Sequence, residues 1–189
     1  NHPKNLAATW ILQQAFQRAQ DCFGQGHLEA DNTMTAWLHH PHSELTLDHY
    51  LAADDIVFTY HLQRWQSHED RCLADLCQRF IDRKLFKGQD VSDLPDADRT
   101  ELLAKTRTKV RELGYDPTIY CGLVHSQSRG YTLYQRGIKI WVEGQPVDIN
   151  RLSPIVEPLT HTYQRTWLLH PAEMTTWLNR QLTQRTVML

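Results

Sequence analysis

The sequence has no apolar run near the roughly 20 residues that a membrane-crossing helix requires, so no span and no membrane partner are expected. It also lacks an excess of charge of one sign. Its 20 Lys and Arg nearly balance 22 Asp and Glu, and a formal net charge of -2 gives no reason to expect DNA or an anionic bilayer as a partner. Cysteine is scarce: Cys22, Cys72, Cys77 and Cys121 form no Cys-x-x-Cys pair, which leaves a zinc ribbon or a thioredoxin-like motif unsupported. The set reads as free buried thiols in a reducing cytoplasm. No Gly-x-Ser-x-Gly, Walker loop or dinucleotide-binding glycine pattern occurs. Internal repeats and low-complexity segments are missing as well. The opening Asn-His-Pro-Lys-Asn has neither an initiator Met nor a signal-peptide pattern and runs straight into a helical segment. Such an opening reads as an excised piece of something longer.

What is present is an ordinary globular composition. With 189 residues, 41% hydrophobic and 22% charged, the chain can build a genuine core as one domain or two small ones. The first half reads as helices. Ala8, Leu12, Ala15, Phe16, Ala19 and Phe23 recur at helical spacing over 5–23. Leu6, Trp10 and Ile11 widen the stripe so far that this helix is expected to sit between other elements. Gly24 and Gly26 end it. A short helix is predicted around Met34–Leu38, then a loop at His39–Ser43. Asp54 or Asp55 caps a helix over 55–66. Ser67 with Asp70 resembles a capping box for the next, whose core face is Leu73, Leu76, Cys77, Phe80 and Ile81.

Near Leu85–Lys87 the pattern changes to a strand, and the polar stretch Asp90–Asp98 leads to a helix at about 98–113. Thr118–Val124 is rich in β-formers. Gly137–Val142 alternates, with Ile138, Ile140 and Val142 on one face, and Val147 and Ile149 continue a hairpin. Ser153 is expected to cap a helix through Ile155, Val156, Leu159 and Tyr163, with Pro154 at its first position. Arg165–Leu169 reads as a strand, and Pro171 begins a last helix. The fold class is α+β, and the order of elements after Lys84 is that of a split βαβ, or ferredoxin-like, unit with a terminal helix.

Eleven histidines invite a metal reading. His39, His40 and His42 crowd one loop, whereas tight binding needs ligands converging from different directions. His61 and His68 flank Trp65 on different helices, and His49 has the acidic neighbour Asp48 but no second ligand. Each reads as a surface or hydrogen-bonded histidine, and neither a catalytic residue nor a metal ligand is assigned. Arg79, Arg83 and Lys87 are spaced by four, with Lys84 beside them, and align if helical geometry persists that far. One reading is a phosphate site. The other is a solvated helix end, where the helix dipole favours cations.

A family resemblance emerges from longer strings. Tyr50-Leu51-Ala52-Ala53-Asp54-Asp55-Ile56 through Trp65, then Leu73-Ala74-Asp75-Leu76 and Arg83-Lys84-Leu85-Phe86-Lys87, resembles the region downstream of the catalytic core in HD-domain deoxynucleoside triphosphate triphosphohydrolases. The opening His2-Pro3-Lys4-Asn5-Leu6 is similar to that family's helix after a Tyr-x-His signature, and Gly114-Tyr115-Asp116-Pro117 extends the likeness into the second half. The family hydrolyses phosphate esters with a His…His-Asp…Asp set that holds a divalent Mg, Mn or Fe ion. Those ligands lie upstream of the segment matched here, and this sequence contains no His-Asp dipeptide. The resemblance therefore implies a cofactor for a longer enzyme and none for this segment. It also implies a regulatory nucleotide-phosphate site between subunits, with Lys87 in the position of the Lys that reaches the phosphates. Arg79, Arg83 and Lys4 are its further candidates. Pro3 stands where the family often has Lys, and Lys4 follows one place later. His2 is expected near the active site of the longer enzyme.

On this basis residues 1–83 are expected to complete an HD-type catalytic domain, and 84–189 to form an α+β lobe that packs on it and helps subunits associate. The expected partners are the upstream catalytic domain of the same chain, a nucleotide and further copies of the protein, in the cytoplasm. Whether this segment is itself an enzyme stays open. The rival reading is a self-contained, non-enzymatic interaction module that binds a protein or small effector, because a ferredoxin-like lobe hosts many functions.

Overall fold

A computed structural model describes residues 2–129, 131 and 137–186. Its first half is helical. α1 spans Pro3–Gly24, with His2 accepting the Lys4 amide at its start, and buries Ala7, Ile11, Ala15, Ala19 and Cys22 on one face. α2 covers Asn32–His39, α3 Leu47–Ala52, α4 Asp55–Trp65 and α5 Arg71–Ile81. Aspartates open three of them: Asp31, Asp54 and Asp70 accept the backbone N–H groups of Met34, Val57 and Leu73 at 2.8, 2.9 and 2.8 Å, satisfying donors that a helix start leaves free. The expected Ser67 cap is therefore replaced by Asp70. Its carboxylate does two jobs, since Oδ2 also takes Arg18 Nη2 at 2.5 Å and ties α5 to α1.

The second half holds β1 (Lys87–Asp90), α6 (Asp96–Glu112), β2 (Gly122–Arg129), β3 (Lys139–Val142), β4 (Gln145–Asp148), α7 (Ile149–Leu152), β5 (Thr162–His170) and α8 (Thr175–Thr186). β5 lies between β1 and β2 and is antiparallel to both, with His170 opposite Lys87 and Leu169 opposite Gly122. β1 and β2 thus run parallel, joined through α6 with a third strand between them, which is the split βαβ arrangement. Thr166 through His170 are all buried, so the central strand is covered on both faces at this end. The fold is α+β, as the order of elements implies.

Three local expectations are corrected. Among the described residues the β3–β4 hairpin adds no fourth strand to the sheet and pairs only with itself, and Trp141 is 73% exposed. No long helix follows Ser153. A short 3-10 turn covers Glu157–Thr160 and Tyr163 lies in β5, because Pro158 has no N–H and its ring obstructs a continuing helix. β2 starts at Gly122 rather than Thr118, since Asp116 Oδ1 accepts both the amide and the hydroxyl of Thr118 and folds that stretch into a turn.

One buried cluster runs through both halves, from Ala7, Ile11 and Leu73 to Phe86, Leu168, Leu169 and Leu178. Two glycines permit it. A Cβ on Gly122 would lie 2.4 Å from the Trp10 ring, and one on Gly88 would lie 3.1 Å from Pro3 Cβ. Trp10 is locked there, its Nε1 donating to the Ile119 carbonyl at 2.8 Å.

Candidate functional site

Arg79 occupies the most elaborate polar site. It leaves the last turn of α5 and is only 7% exposed. Its Nε donates to Asp75 Oδ2 at 2.7 Å, one helical turn back, and Nη2 donates to Glu173 Oε1 at 2.8 Å and to the Tyr115 hydroxyl at 3.1 Å. The guanidinium carbon sits 5.4 Å from the Tyr115 ring centre and 5.8 Å from those of Phe86 and Tyr120. Tyr120 closes the network by donating to Asp75 Oδ2 at 2.7 Å, and burial raises its phenol pKa far above the usual range. Burial alone would raise the Glu173 carboxyl, but Arg79 overrides that and holds it below the ordinary value. The cation is thus balanced internally by two carboxylates.

This placement separates the basic residues that the sequence spaces by four. α5 ends at Ile81, and Arg83 takes a left-handed conformation with φ 57°, so no helical ridge continues to Lys87. Arg79 points inward, Arg83 is exposed, and Lys84 Nζ pairs with Asp82 at 3.0 Å. Lys87, in contrast, opens β1. It precedes Gly88, over which Pro3 lies, so the start of α1 rests on the Gly88 face of β1, and strand alternation turns Lys87 to the other face, opposite His170 in the register. Lys87, Lys4 and His2 are each exposed, and no contact joins Lys87 to the other two among the described residues. His170, opposite Lys87 in the register, is buried. Burial lowers its pKa first and the Lys87 charge lowers it further, while Nδ1 and the Pro171 carbonyl lie 2.8 Å apart. His2 acts visibly as a helix cap.

His39, His40 and His49 lie ring beside ring, with centres 5.0 and 6.0 Å apart, and the others lie elsewhere. His68 bonds the His27 carbonyl, His42 meets the Tyr50 hydroxyl, and His49 and Thr46 cap each other at the start of α3. His61 is fully buried, with Nε2 3.0 Å from Asp31 Oδ2 but off the hydrogen-bond line, and Nδ1 finds no partner among the described residues. Among the described residues, no three His, Cys, Asp or Glu side chains converge to hold a metal ion. The residues present do not fit the divalent ion of the resemblance, and no hydrolytic step is assigned to them. Burial pushes the Cys72 thiol up to about 11 and those of Cys77 and Cys121 up to about 12, so none is a ready nucleophile at neutral pH. None of the helices is long and apolar enough to cross a membrane among the described residues.

The second surface feature escaped the sequence reading. α1 does not lie wholly between other elements. The flank carrying Leu12 and Phe16 faces an open groove of about 760 Å³, walled opposite by Phe58 and Leu62 of α4 and floored by Trp65 and Phe80. The broad apolar stripe of α1 was the available signal.

These features define an α+β protein with a helical layer and a small antiparallel sheet. The chain is 29% identical over 174 residues to YwfO, an uncharacterized protein of Bacillus subtilis (strain 168), a match covering 84% of this chain and 38% of that protein. Its fold is similar to that of a phosphohydrolase from Bacteroides thetaiotaomicron VPI-5482, with a TM-score of 0.71 and 21% identity over 89% of this chain and 45% of that one. The chain thus spans less than half the length of either protein. No protein-family model matches it.

Proposed function

We propose that this chain is a non-catalytic, C-terminal portion of a metal-dependent HD-family phosphohydrolase acting on deoxynucleoside triphosphates or related phosphate esters. The observation that carries this reading is the fold likeness to a phosphohydrolase across 89% of the chain, combined with a span of only 45% of that protein. In this reading residues 1–83 complete the catalytic domain, and 84–189 brace it, contribute oligomer contacts and present Lys87 and Lys4 to a regulatory nucleotide. The metal and the water it activates belong to the rest of the enzyme. Arg79 serves the fold, since its charge is already met by Asp75 and Glu173.

The test compares two polypeptides for phosphate release from deoxynucleoside triphosphates with Mn2+. The 189-residue chain is expected to release none, and a polypeptide that also carries the adjoining coded sequence is expected to turn over. Hydrolysis by the short chain that survives purification and rises with Mn2+ overturns the reading. So does an adjoining sequence without His-Asp.

A further inference from the structure

We propose that the groove between α1 and α4 seats an amphipathic helix supplied by further polypeptide of the same protein. The inference rests on the reading of the chain as part of a longer enzyme, and it names the surface and the kind of element that meet there. The two walls are helical ridges. Leu12, Phe16 and Gln20 line α1, and Asp55, Phe58 and Leu62 line α4, each at spacings of three or four. Eight residues of helix rise about 12 Å, roughly two turns, which is the length of ridge that a third helix packs against. Only Asp55 among the lining residues carries charge, and Gln13, Gln17 and Thr59 form the polar rim. A segment with an apolar face and an uncharged or basic border suits such a trough.

The apolar surface does not stop at the groove. Trp37 at one end touches Tyr50 edge-on, with ring centres 5.0 Å apart. Beyond it Leu47, Leu51 and Ile56 are 72%, 74% and 76% exposed. Leu47 and Leu51 lie one turn apart on α3, so they present one face. Exposed apolar side chains grouped on a helix next to an apolar groove mark a contact site. Both proteins that this chain matches carry more than half their length outside the shared stretch, so polypeptide to cover it exists in each of them. That favours an intramolecular helix over a second copy.

The experiment compares the 189-residue chain with the full polypeptide encoded by its gene, using the apolar dye ANS, exchange of α1 and α4 amides, and sedimentation. The short chain is expected to bind ANS, and the full polypeptide to bind at least tenfold less and to protect the groove. Phe58→Asp in the full polypeptide restores dye binding, and Gln13→Arg on the exposed rim does so without touching the core. A full polypeptide that leaves the groove open overturns the proposal, as does a gene encoding nothing further. A short-chain dimer split by Gln13→Arg assigns the groove to a second copy and also overturns it. Phosphate release is scored separately: a full polypeptide that covers the groove yet hydrolyses nothing removes the phosphohydrolase reading and leaves the helix seat standing.

Discussion

Arg79 and Glu173, 94 positions apart, face each other through two contacts, Nη2 to Oε1 at 2.8 Å and Nη1 to Oε2 at 3.4 Å. The pair fastens the end of α5 to the turn that precedes α8. Arg79 is the buried partner, and 47% of the Glu173 side chain is exposed, so the two should not contribute equally. Arg79→Ala strands Asp75 and Glu173 without a counter-charge and empties a space lined by Phe86, Tyr115 and Tyr120. The expected loss is about 2–4 kcal/mol, below the upper range for fully buried pairs because the carboxylates reach water. Glu173→Gln should cost about 1 kcal/mol or less. Urea unfolding of both variants checks the ranking, and equal losses would disprove it.

Gly122 sets a second expectation. Its missing side chain is where the Trp10 ring lies, with Cη2 and Cζ2 at 2.4 and 2.8 Å from the position a Cβ would take. Gly122→Ala must displace an indole that is also tethered to the Ile119 carbonyl. Overpacking of this kind costs about 1–3 kcal/mol. Adding Trp10→Leu should recover part of the loss, and a double-mutant cycle measures the coupling. A purely additive cycle would mean that the clash is relieved elsewhere.

Much of the helical half can be read from the chain because its signals are local. Asp31, Asp54 and Asp70 each stand immediately before an apolar-periodic run, and their side chains bond the helix starts they precede. The β3–β4 hairpin is equally local: Glu143 and Gly144 both take positive φ, as a tight two-residue turn demands. What the sequence conceals depends on distant partners. Nothing near Arg79 announces Glu173 or Tyr115, so a cation on a helix face reads as solvent-exposed when it is enclosed. Tyr163 fits a helical stripe with Leu159 as well as the β5 strand it joins, and only pairing with Ser128 across the sheet decides between them. The seat of α1 on β1 depends on Pro3 lying over Gly88, a contact between residues 85 positions apart in sequence.

His170 makes stability depend on pH in a stated direction. An unfolded imidazole titrates near about 6.5, and burial followed by the Lys87 charge sets the folded value lower. Between those two values the unfolded chain binds more protons. Stability is therefore full above the unfolded value and falls as pH drops through the interval. His170→Gln removes this contribution. Urea midpoints measured at pH 7.5 and pH 5 should fall more in the native chain than in the variant. Identical falls would show that His170 does not titrate with folding.

Lys87 offers the most direct probe of the regulatory reading. It is exposed at the start of β1, and no ion pair or hydrogen bond engages its ammonium among the described residues. A phosphate held there would gain a charge-assisted hydrogen bond worth roughly 1.5–3 kcal/mol. Lys87→Ala is thus expected to weaken the binding of a deoxynucleoside triphosphate by roughly ten- to a hundredfold in Kd. Arg83→Ala, in the exposed turn after α5, should change it less. Calorimetry at two salt concentrations separates a specific contact from diffuse attraction, because only the latter fades steeply as ions screen it. An affinity untouched by Lys87→Ala takes this residue out of any nucleotide site.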